Sequence, residues 1–216
     1  QCHLYDSVIT DMNLLVVLVF IFSLFLRRAE ALQSNNITDV EMLNVNVSDM
    51  NGTCFCAVSP DANGHVTIPP TWTVIGSSSF NGCAEMRSIE IPPSVIELEA
   101  HAFQVSGLVE LHIPDTVQIL GEYLCFFCID LITLTIGRGV SAIPQNSFTG
   151  NYALVSVNFT LPSNITTIGQ FSFYLNGNMS DLVIPDSVKS IQKSAFSGLA
   201  KMNSLKLGSG VTSIDK

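Results

Sequence analysis

A single pattern restarts seven times between Val66 and Lys216, and it constrains the fold more strongly than any other feature of the chain. Two clear copies read Leu-Val-Ile-Pro-Asp-Ser-Val-Lys-Ser-Ile at 182–191 and Leu-His-Ile-Pro-Asp-Thr-Val-Gln-Ile-Leu at 111–120. The steps between successive copies are 23, 22, 23, 25, 23 and 23 residues. A near-constant period of this length is typical of a stacked solenoid, in which each copy forms one coil. In the sequence pattern the copies begin at Val66, Ile89, Leu111, Leu134, Phe159, Leu182 and Leu205.

Apolar residues recur at fixed positions, counted from zero at the first residue of each copy. Positions zero, two, six and nine are aliphatic in almost every copy, and position fourteen is Phe in every complete copy except the third. Neither a helix nor a strand has a period this long, so these side chains must stack from copy to copy and form the core. Positions zero and two flank a usually polar residue, which predicts a short strand with one buried face. Pro or Gly then ends that strand, so the strands of neighbouring coils are expected to align into one parallel sheet.

The order Leu/Ile-x-Ile/Leu-Pro-x-Ser/Thr-Val-x-x-Ile/Leu-x-x-x-Ala/Ser-Phe across residues 66–216 resembles the BspA-type leucine-rich repeat. The resemblance implies a leucine-rich-repeat solenoid of the α/β horseshoe class, built mainly of short parallel β-strands with irregular or short helical returns. It also implies a non-catalytic scaffold for binding or adhesion, since family members are often secreted or cell-surface proteins. The chain departs from the pattern at Trp72, at Cys125 and in a lengthened fourth copy, where residues 151–158 are expected to bulge as a loop.

The repeat divides the chain into three parts. Residues 1–31 hold upstream residues and a signal peptide or anchor, residues 32–65 form a polar lead-in with an N-terminal cap, and residues 66–216 form the solenoid. The solenoid has about six and a half repeats, because the last copy stops at Lys216 in mid-coil. An uncapped coil would expose its apolar ladder, so we expect the natural protein to continue with more repeats, an anchor or another domain.

An apolar segment, Leu14–Leu26, in which only Ser23 is not apolar, lies near the N-terminus. As a helix it would span roughly 20 Å, less than the ~30 Å hydrocarbon core of a bilayer. That length, and the small-x-small sequence at 29–31, favour a cleaved secretory signal peptide. The arginine pair at 27–28 follows the apolar run instead of preceding it, which favours an uncleaved anchor. Both alternatives stay open, as does a spurious segment.

Six Asn-x-Ser/Thr sequons support the secretory route, because this tripeptide is the acceptor for N-glycosylation. Three of them crowd the polar lead-in before the first repeat. The sequence therefore predicts a secreted or cell-surface glycoprotein, with membrane-anchored and intracellular locations as alternatives. The acceptor residues are Asn36, Asn46, Asn51, Asn158, Asn164 and Asn178.

The charge balance is acidic, with 18 Asp and Glu residues against 9 Lys and Arg residues. No basic run exists, so the chain lacks the electrostatic footprint of a nucleic-acid-binding protein. The expected ligand is a protein or a glycan. Membrane contact is expected only through the N-terminal segment or a C-terminal anchor beyond Lys216.

The cysteines allow two interpretations. Cys125 and Cys128 form a CxxC pair, but they fall on positions fourteen and seventeen of the repeat, where small apolar core residues are a better account than a redox pair. Cys54 and Cys56 lie just before the first coil, where a disulfide would be a natural cap in an oxidising compartment. Their partners are not given by the sequence.

Motifs that would indicate catalysis or a cofactor are weak. Gly137-Arg-Gly139-Val-Ser-Ala142 matches a dinucleotide fingerprint, but it lies where other copies place the turn after the strand, so we interpret it as a repeat turn. The four histidines do not have ligand spacing, and no metalloprotease, nucleophile-elbow or phosphate-loop motif is present. The sequence therefore predicts no catalytic, cofactor-binding or metal residues.

The most variable columns of the repeat are position one and the residue just before position zero, which point outward from the predicted sheet. We hypothesise that they form a ligand face, and that a glycan on Asn158 would block its middle. The alternatives are the recognition region of a larger receptor or enzyme whose effector domain lies elsewhere, and an intracellular interaction scaffold. The candidate face residues are Glu90, Glu110, His112, Thr133, Thr135, Thr160, Asp181 and Lys206.

Overall fold

The computed structural model describes residues 56–215, which form a parallel β-solenoid with two short strands in each coil. The first-strand row runs along one side of the coils, and the second-strand row runs along another. The first row contains β1 His65–Thr67, β3 Ser88–Glu90, β5 Glu110–Ile113, β7 Thr133–Ile136, β9 Ser156–Phe159, β11 Asp181–Val183 and β13 Ser204–Lys206. The second row contains β2 Val74–Ile75, β4 Glu97–Leu98, β6 Ile119–Leu120, β8 Ala142–Ile143, β10 Thr167–Ile168, β12 Ser190–Ile191 and β14 Ser213–Ile214.

The first-strand row confirms the predicted alternation. Position-zero residues face the core and pair in parallel register, as Val66 does with Ile89 and as Leu111 does with Leu134. The hydrogen-bonded ladder is interrupted between β3 and β5 and between β9 and β11. The predicted solenoid of short parallel strands is therefore correct, although each row consists of separate ladders and not of one unbroken sheet.

The second-strand row was not predicted. Position nine forms an inward apolar column, as expected, but its residues are also paired as two-residue strands, for example Ile168 with Ile143 and Ile191. The resemblance implied irregular or short helical returns, and residues 56–215 have the irregular kind, in which every return is built of turns.

A third set of stacked segments, here called the turn edge, comprises positions twelve to eighteen of the first six coils. Amide groups at position fourteen donate to the next coil, as Phe80 N does to Ala102 O over 2.8 Å and Phe173 N does to Ala195 O over 2.9 Å. Residues at positions twelve and sixteen have positive φ angles in all six coils. Glycine tolerates this conformation best, but most of these residues are not glycine. The turn edge consists of residues 78–84, 101–107, 123–129, 146–152, 171–177 and 194–200.

Phenylalanine rings stack through the core behind the turn edge. Phe148, Phe173 and Phe196 form a continuous stack with ring centroids 5.5 and 5.7 Å apart, and Phe80 stacks on Phe103 at 5.8 Å. The third coil interrupts the stack with Cys125. That coil carries Leu124 at position thirteen, where other coils carry Ser or Ala, and both residues are fully buried in the same cluster. A small residue and a large one have exchanged places, which conserves core volume.

The lengthened coil is the fifth and not the fourth. Val157 pairs with Leu134 and Phe159 pairs with Ile136, so the fifth coil begins at Val157 and its two extra residues lie before Ile165. The predicted loop at 151–158 is therefore wrong, and Leu161, predicted as a core residue, has 68% of its surface exposed. The apolar-polar-apolar pattern of a strand occurs at two overlapping places, residues 157–159 and residues 159–161. Pro162 follows the second of them, as Pro follows the strand in other copies, so the sequence favoured the wrong register.

Candidate ligand-binding face

The outward side chains of the first-strand row form the surface that we call the strand face. It consists of position one and of the residue just before position zero. Glu90, Glu110, His112 and Lys206 are exposed there, and parallel pairing sets each of them beside the equivalent residue of a neighbouring coil. Successive strands in a sheet lie about 4.8 Å apart, so a ligand spanning three or four coils would meet several of these side chains together.

Seven of the eight candidate residues lie on the strand face. The exception is Thr160, which follows β9 and whose backbone N–H donates to Ile136 O over 2.9 Å. Its predicted place belongs to Asn158, which pairs with Thr135, and Ser156 stands just before position zero in that coil. The cause is the same register error as in the fifth coil. The seven residues are Glu90, Glu110, His112, Thr133, Thr135, Asp181 and Lys206.

Several face residues are held by local hydrogen bonds. His65 Nδ1 lies 2.8 Å from Ser88 Oγ in the first two coils. Asn158 Nδ2 donates to Ser156 Oγ over 3.2 Å, and Ser180 Oγ donates to Asp181 Oδ2 over 2.6 Å. These bonds link side chains on adjacent coils or within two residues of each other along the chain, so they fix the orientation of several side chains on the face.

Two carboxylates border the strand face where the first strand ends. Asp115 accepts hydrogen bonds from Arg138 N at 2.9 Å and from Arg138 Nε at 2.7 Å. Asp186 accepts bonds from Ser209 N at 2.7 Å and from Ser209 Oγ at 3.0 Å. The backbone N–H bonds are the main cause that lowers the pKa of both carboxyl groups below the ordinary value of 3.8. Each carboxylate therefore ties its own coil to the next one.

Three candidate glycosylation residues lie in the described chain, all in the fifth coil. Asn158 is exposed on the strand face, and Asn178 is half-buried just after the turn edge. Asn164 is exposed at a cleft of about 590 Å³ that is also lined by Ile96 and Ile119. The candidates Asn36, Asn46 and Asn51, the cap residue Cys54 and the apolar segment lie outside the described residues. Within residues 56–215 no helix is long and apolar enough to cross a membrane.

The structure pairs four of the cysteines. Cys56 is bonded to Cys83, so a disulfide crosslinks the end of the lead-in to the first coil. Ala57 N also donates to Ser79 O over 2.8 Å. Cys125 and Cys128 are both fully buried, as expected for core positions, but they form a disulfide and are not two separate thiols. The sequence left their pairing open, and the turn between positions fourteen and seventeen brings the two Cα atoms to 5.6 Å.

The glycine motif occupies the turn between β7 and β8, and no helix follows it. A Cβ atom on Gly137 would lie 2.4 Å from the backbone of Pro114, and one on Gly139 would lie 2.3 Å from Asp115 O. These glycines therefore permit the close approach of two coils. Within residues 56–215 no group of three or more His, Cys, Asp or Glu side chains is placed to hold a metal ion.

Comparison with known proteins agrees with this architecture. The family model for the BspA type leucine rich repeat region matches residues 53–165 and 125–216, in six copies. A leucine-rich repeat protein from Eubacterium ventriosum is 25% identical, with a TM-score of 0.64 over 71% of this chain and 41% of that chain. The T. pallidum leucine rich repeat protein is 19% identical, with a TM-score of 0.47 over 70% of this chain and 59% of that chain.

A leucine rich cell surface protein from Faecalibacterium prausnitzii is 19% identical, with a TM-score of 0.36 over 66% of this chain and 59% of that chain. The chain thus spans about two fifths to three fifths of the length of these solved structures. No curated protein matches it. The matched repeats cover the whole described solenoid, with its Pro- or Gly-ended strands and its stacked phenylalanines. The chain belongs to the BspA-type leucine-rich repeat family, whose members are repeat scaffolds.

Proposed function

We propose that this chain is a non-catalytic binding or adhesion scaffold that acts outside the cell or at its surface and recognises a protein or glycan through the strand face. The strand face is the observation that supports this proposal most strongly. Parallel backbone pairing holds its strands in fixed register, while its outward side chains change from coil to coil. Solenoids use such extended surfaces for binding because the core remains the same whatever the outward residues are.

The chemistry of the strand face differs along its length. The second and third coils present the carboxylates of Glu90 and Glu110 beside the His112 imidazole, and the fourth coil presents the hydroxyls of Thr133 and Thr135. A partner that offers amine or hydroxyl donors to the second and third coils fits this arrangement. The exposed Asn158 follows, so a glycan there would direct the partner toward the second and third coils.

Several independent features support a secretory route for this chain. Six sequons and a signal-like apolar segment favour entry into the secretory pathway. The Cys56–Cys83 and Cys125–Cys128 disulfides are consistent with an oxidising compartment. The family's repeat scaffolds support a binding role in place of catalysis.

Expression from Met12 in a secretory eukaryotic host tests the location. The mass of the product is measured before and after treatment with peptide N-glycosidase. Release into the medium, loss of residues up to about 31 and a mass decrease on deglycosylation are the expected results. An unprocessed and unglycosylated product retained in the cell would overturn the secreted interpretation and favour the intracellular scaffold.

Binding of the fluorescently labelled, secreted chain to cell layers and to a glycan array tests the face. The triple variant Glu90→Lys, Glu110→Lys and Asp181→Lys reverses the carboxylates of the strand face. Binding to whichever cell or glycan retains the parent chain is expected to fall roughly tenfold or more, because opposed charges set recognition at such a surface.

A matched triple variant provides the control. Glu85→Lys, Glu97→Lys and Glu122→Lys change the net charge equally but lie outside the strand face. This control is expected to bind as the parent does. Equal loss in both variants would indicate a general charge effect, and unchanged binding by the face variant would place recognition on another surface.

A further inference from the structure

The turn edge contains no Asp, Glu, Lys or Arg residue in any of its six segments. The whole chain has a formal net charge of −9, and within residues 56–215 the charged side chains all lie outside the turn edge. The strand face carries Glu90, Glu110 and Asp181, while the returns carry charges such as Glu85 and Lys201. The turn edge is therefore an uncharged stripe along an acidic protein.

Aromatic side chains cover the middle of this stripe. His101 stacks on Tyr123 with ring centroids 5.1 Å apart, and Phe127 meets Tyr152 edge-on at 5.9 Å. Phe126 links the two pairs, at 5.3 Å from Tyr123 and 4.6 Å from Phe127. All of these rings except Phe126 remain partly exposed. The second, third and fourth coils thus share one continuous aromatic surface.

The fifth coil extends this surface. Phe171 and Tyr174 meet edge-on at 5.5 Å, and both rings are partly exposed. Gly150 N donates to Tyr174 O over 2.8 Å, so the turn-edge segments that carry Tyr152 and Tyr174 lie side by side. Burial, together with the nearby Tyr174, raises the pKa of Tyr152. We call the partly exposed rings of His101, Tyr123, Phe127, Tyr152, Phe171 and Tyr174 the aromatic strip.

The composition of the aromatic strip fits a protein partner. His101 and Tyr123 are nearly parallel, with 9° between their planes, so each ring covers one face of the other. Aromatic side chains contribute large contact areas at protein interfaces, and tyrosine is enriched there. Backbone groups of the turn edge are already bonded between coils, as Phe103 N is to Leu124 O. No sequon lies within the turn edge, although Asn178 borders it.

We propose that the turn edge is a self-association surface on which a second copy of this chain docks, aromatic strip against aromatic strip. Net charge keeps acidic proteins apart, and a second copy carries the same charge of −9. The turn edge is the side of the described coils on which two copies meet without opposing carboxylates. Interface cores are enriched in aromatic residues and depleted of charge, as this stripe is. An isologous pair also leaves both strand faces open, so this proposal does not depend on the proposed ligand site.

Sedimentation velocity of the full chain over a wide concentration range tests the proposal. The parent chain is expected to show a concentration-dependent dimer. Tyr123→Lys and Tyr174→Lys each place a charge in the aromatic strip and are expected to weaken dimerisation roughly tenfold or more. Both changes make the net charge less negative, which by itself would favour association. Loss of the dimer must therefore come from the turn edge.

Val183→Lys is the matched control, because Val183 has 60% of its surface exposed on the strand face and the change adds the same charge. It is expected to dimerise as the parent does. Ser197→Lys, at an exposed position of the turn edge in the sixth coil, provides a second variant that leaves the aromatic packing intact. Far-UV circular dichroism confirms that each variant is folded. A monomeric parent, or a dimer that resists all three turn-edge substitutions, would overturn the proposal.

Discussion

The strand face and the turn edge run along the same stack of coils, yet they use the repeat in opposite ways. On the strand face, the backbone of each coil is regular and the outward side chains vary between charged, hydroxyl and aliphatic types. On the turn edge, the backbone is held in left-handed conformations at positions twelve and sixteen, and the inward side chain at position fourteen is Phe in five of the six coils. The backbone of the turn edge therefore helps to hold the stack together, whereas the outward side chains of the strand face can vary without disturbing it.

The third coil shows how much variation the turn edge accepts. There Leu124 and Cys125 replace the usual small residue and Phe, and the disulfide to Cys128 closes the turn. The backbone ladder continues through this coil, since Cys125 N donates to Ser147 O over 2.7 Å. A substitution at an inward position of the turn edge must therefore be compensated by a substitution at a neighbouring position. A substitution at an outward position of the strand face needs no such compensation.

The largest difference between the two surfaces is expected for Phe173→Ala. Phe173 is fully buried between Phe148 and Phe196, so the substitution removes two ring contacts and leaves a cavity. We expect the free energy of unfolding to fall by about 3–5 kcal/mol, measured by urea denaturation. Val183→Ala on the strand face is the control and should change it by less than about 0.5 kcal/mol. Equal effects would contradict the division of roles.

The disulfide between the lead-in and the first coil is expected to have the next largest effect. Cys56→Ala opens the bond to Cys83, which joins residues separated by 27 positions. Loop closure of this size stabilises a folded chain by about 3 kcal/mol. The thermal midpoint of the variant should fall, and the loss should begin in the first coil, as seen by proteolysis. An unchanged midpoint would mean that packing alone holds the cap.

A pair of glycine substitutions then tests how closely the coils approach. A Cβ atom on Gly121 would lie 2.2 Å from Ala100 N, whereas the nearest atom to one on Gly177 would be Gly198 O at 3.9 Å. Gly121→Ala is expected to cost about 1–3 kcal/mol, because the backbone of one coil must move. Gly177→Ala should be neutral or slightly stabilising, since it lowers the entropy of the unfolded chain. Denaturation midpoints measured side by side decide between these outcomes.

The smallest effect concerns acid stability at the border of the strand face. Because the pKa of Asp186 is lowered in the folded chain, its contribution to stability is present above the ordinary value of 3.8 and is lost as the pH falls through the lower folded value. Asp186→Asn should therefore reduce the thermal midpoint at pH 7 and have a smaller effect in acid, once the Asp186 carboxyl group is protonated in the folded parent. The difference between variant and parent should close as the pH decreases below about 4. A constant difference across this range would show that Asp186 acts through packing and not through charge.

Much of the fold could be predicted because the repeat gives several independent instances of each position. The inward columns, the first-strand row and the stacked Phe residues were all visible as recurrences, and one poor copy could not hide them. The second-strand row was missed because two residues, such as Thr167 and Ile168, are too few to display an alternation. The left-handed positions were missed because only Gly82, Gly150 and Gly198 mark them among mostly non-glycine residues.

The strand face was predicted less completely for a physical reason. Outward positions carry no apolar signature of their own, so their assignment depends on the register of the inward residues. Seven candidates kept their places because their coils have a clear register, and Thr160 lost its place where Val157 and Phe159 offered two. The aromatic strip gave no periodic signal, since its rings occupy positions twelve, fifteen, sixteen and eighteen in different coils. Only the folded coils bring them together.

Native-state hydrogen exchange, resolved by peptide mass spectrometry, tests the central claim most directly. If the turn edge maintains the stack, its amides at positions twelve, fourteen and sixteen should exchange as slowly as those of the first-strand row, because both are bonded to the next coil. Phe103, Phe148 and Phe173 report position fourteen. Rapid exchange at these amides, with protection confined to the strands, would contradict the claim and reduce the turn edge to an ordinary surface loop.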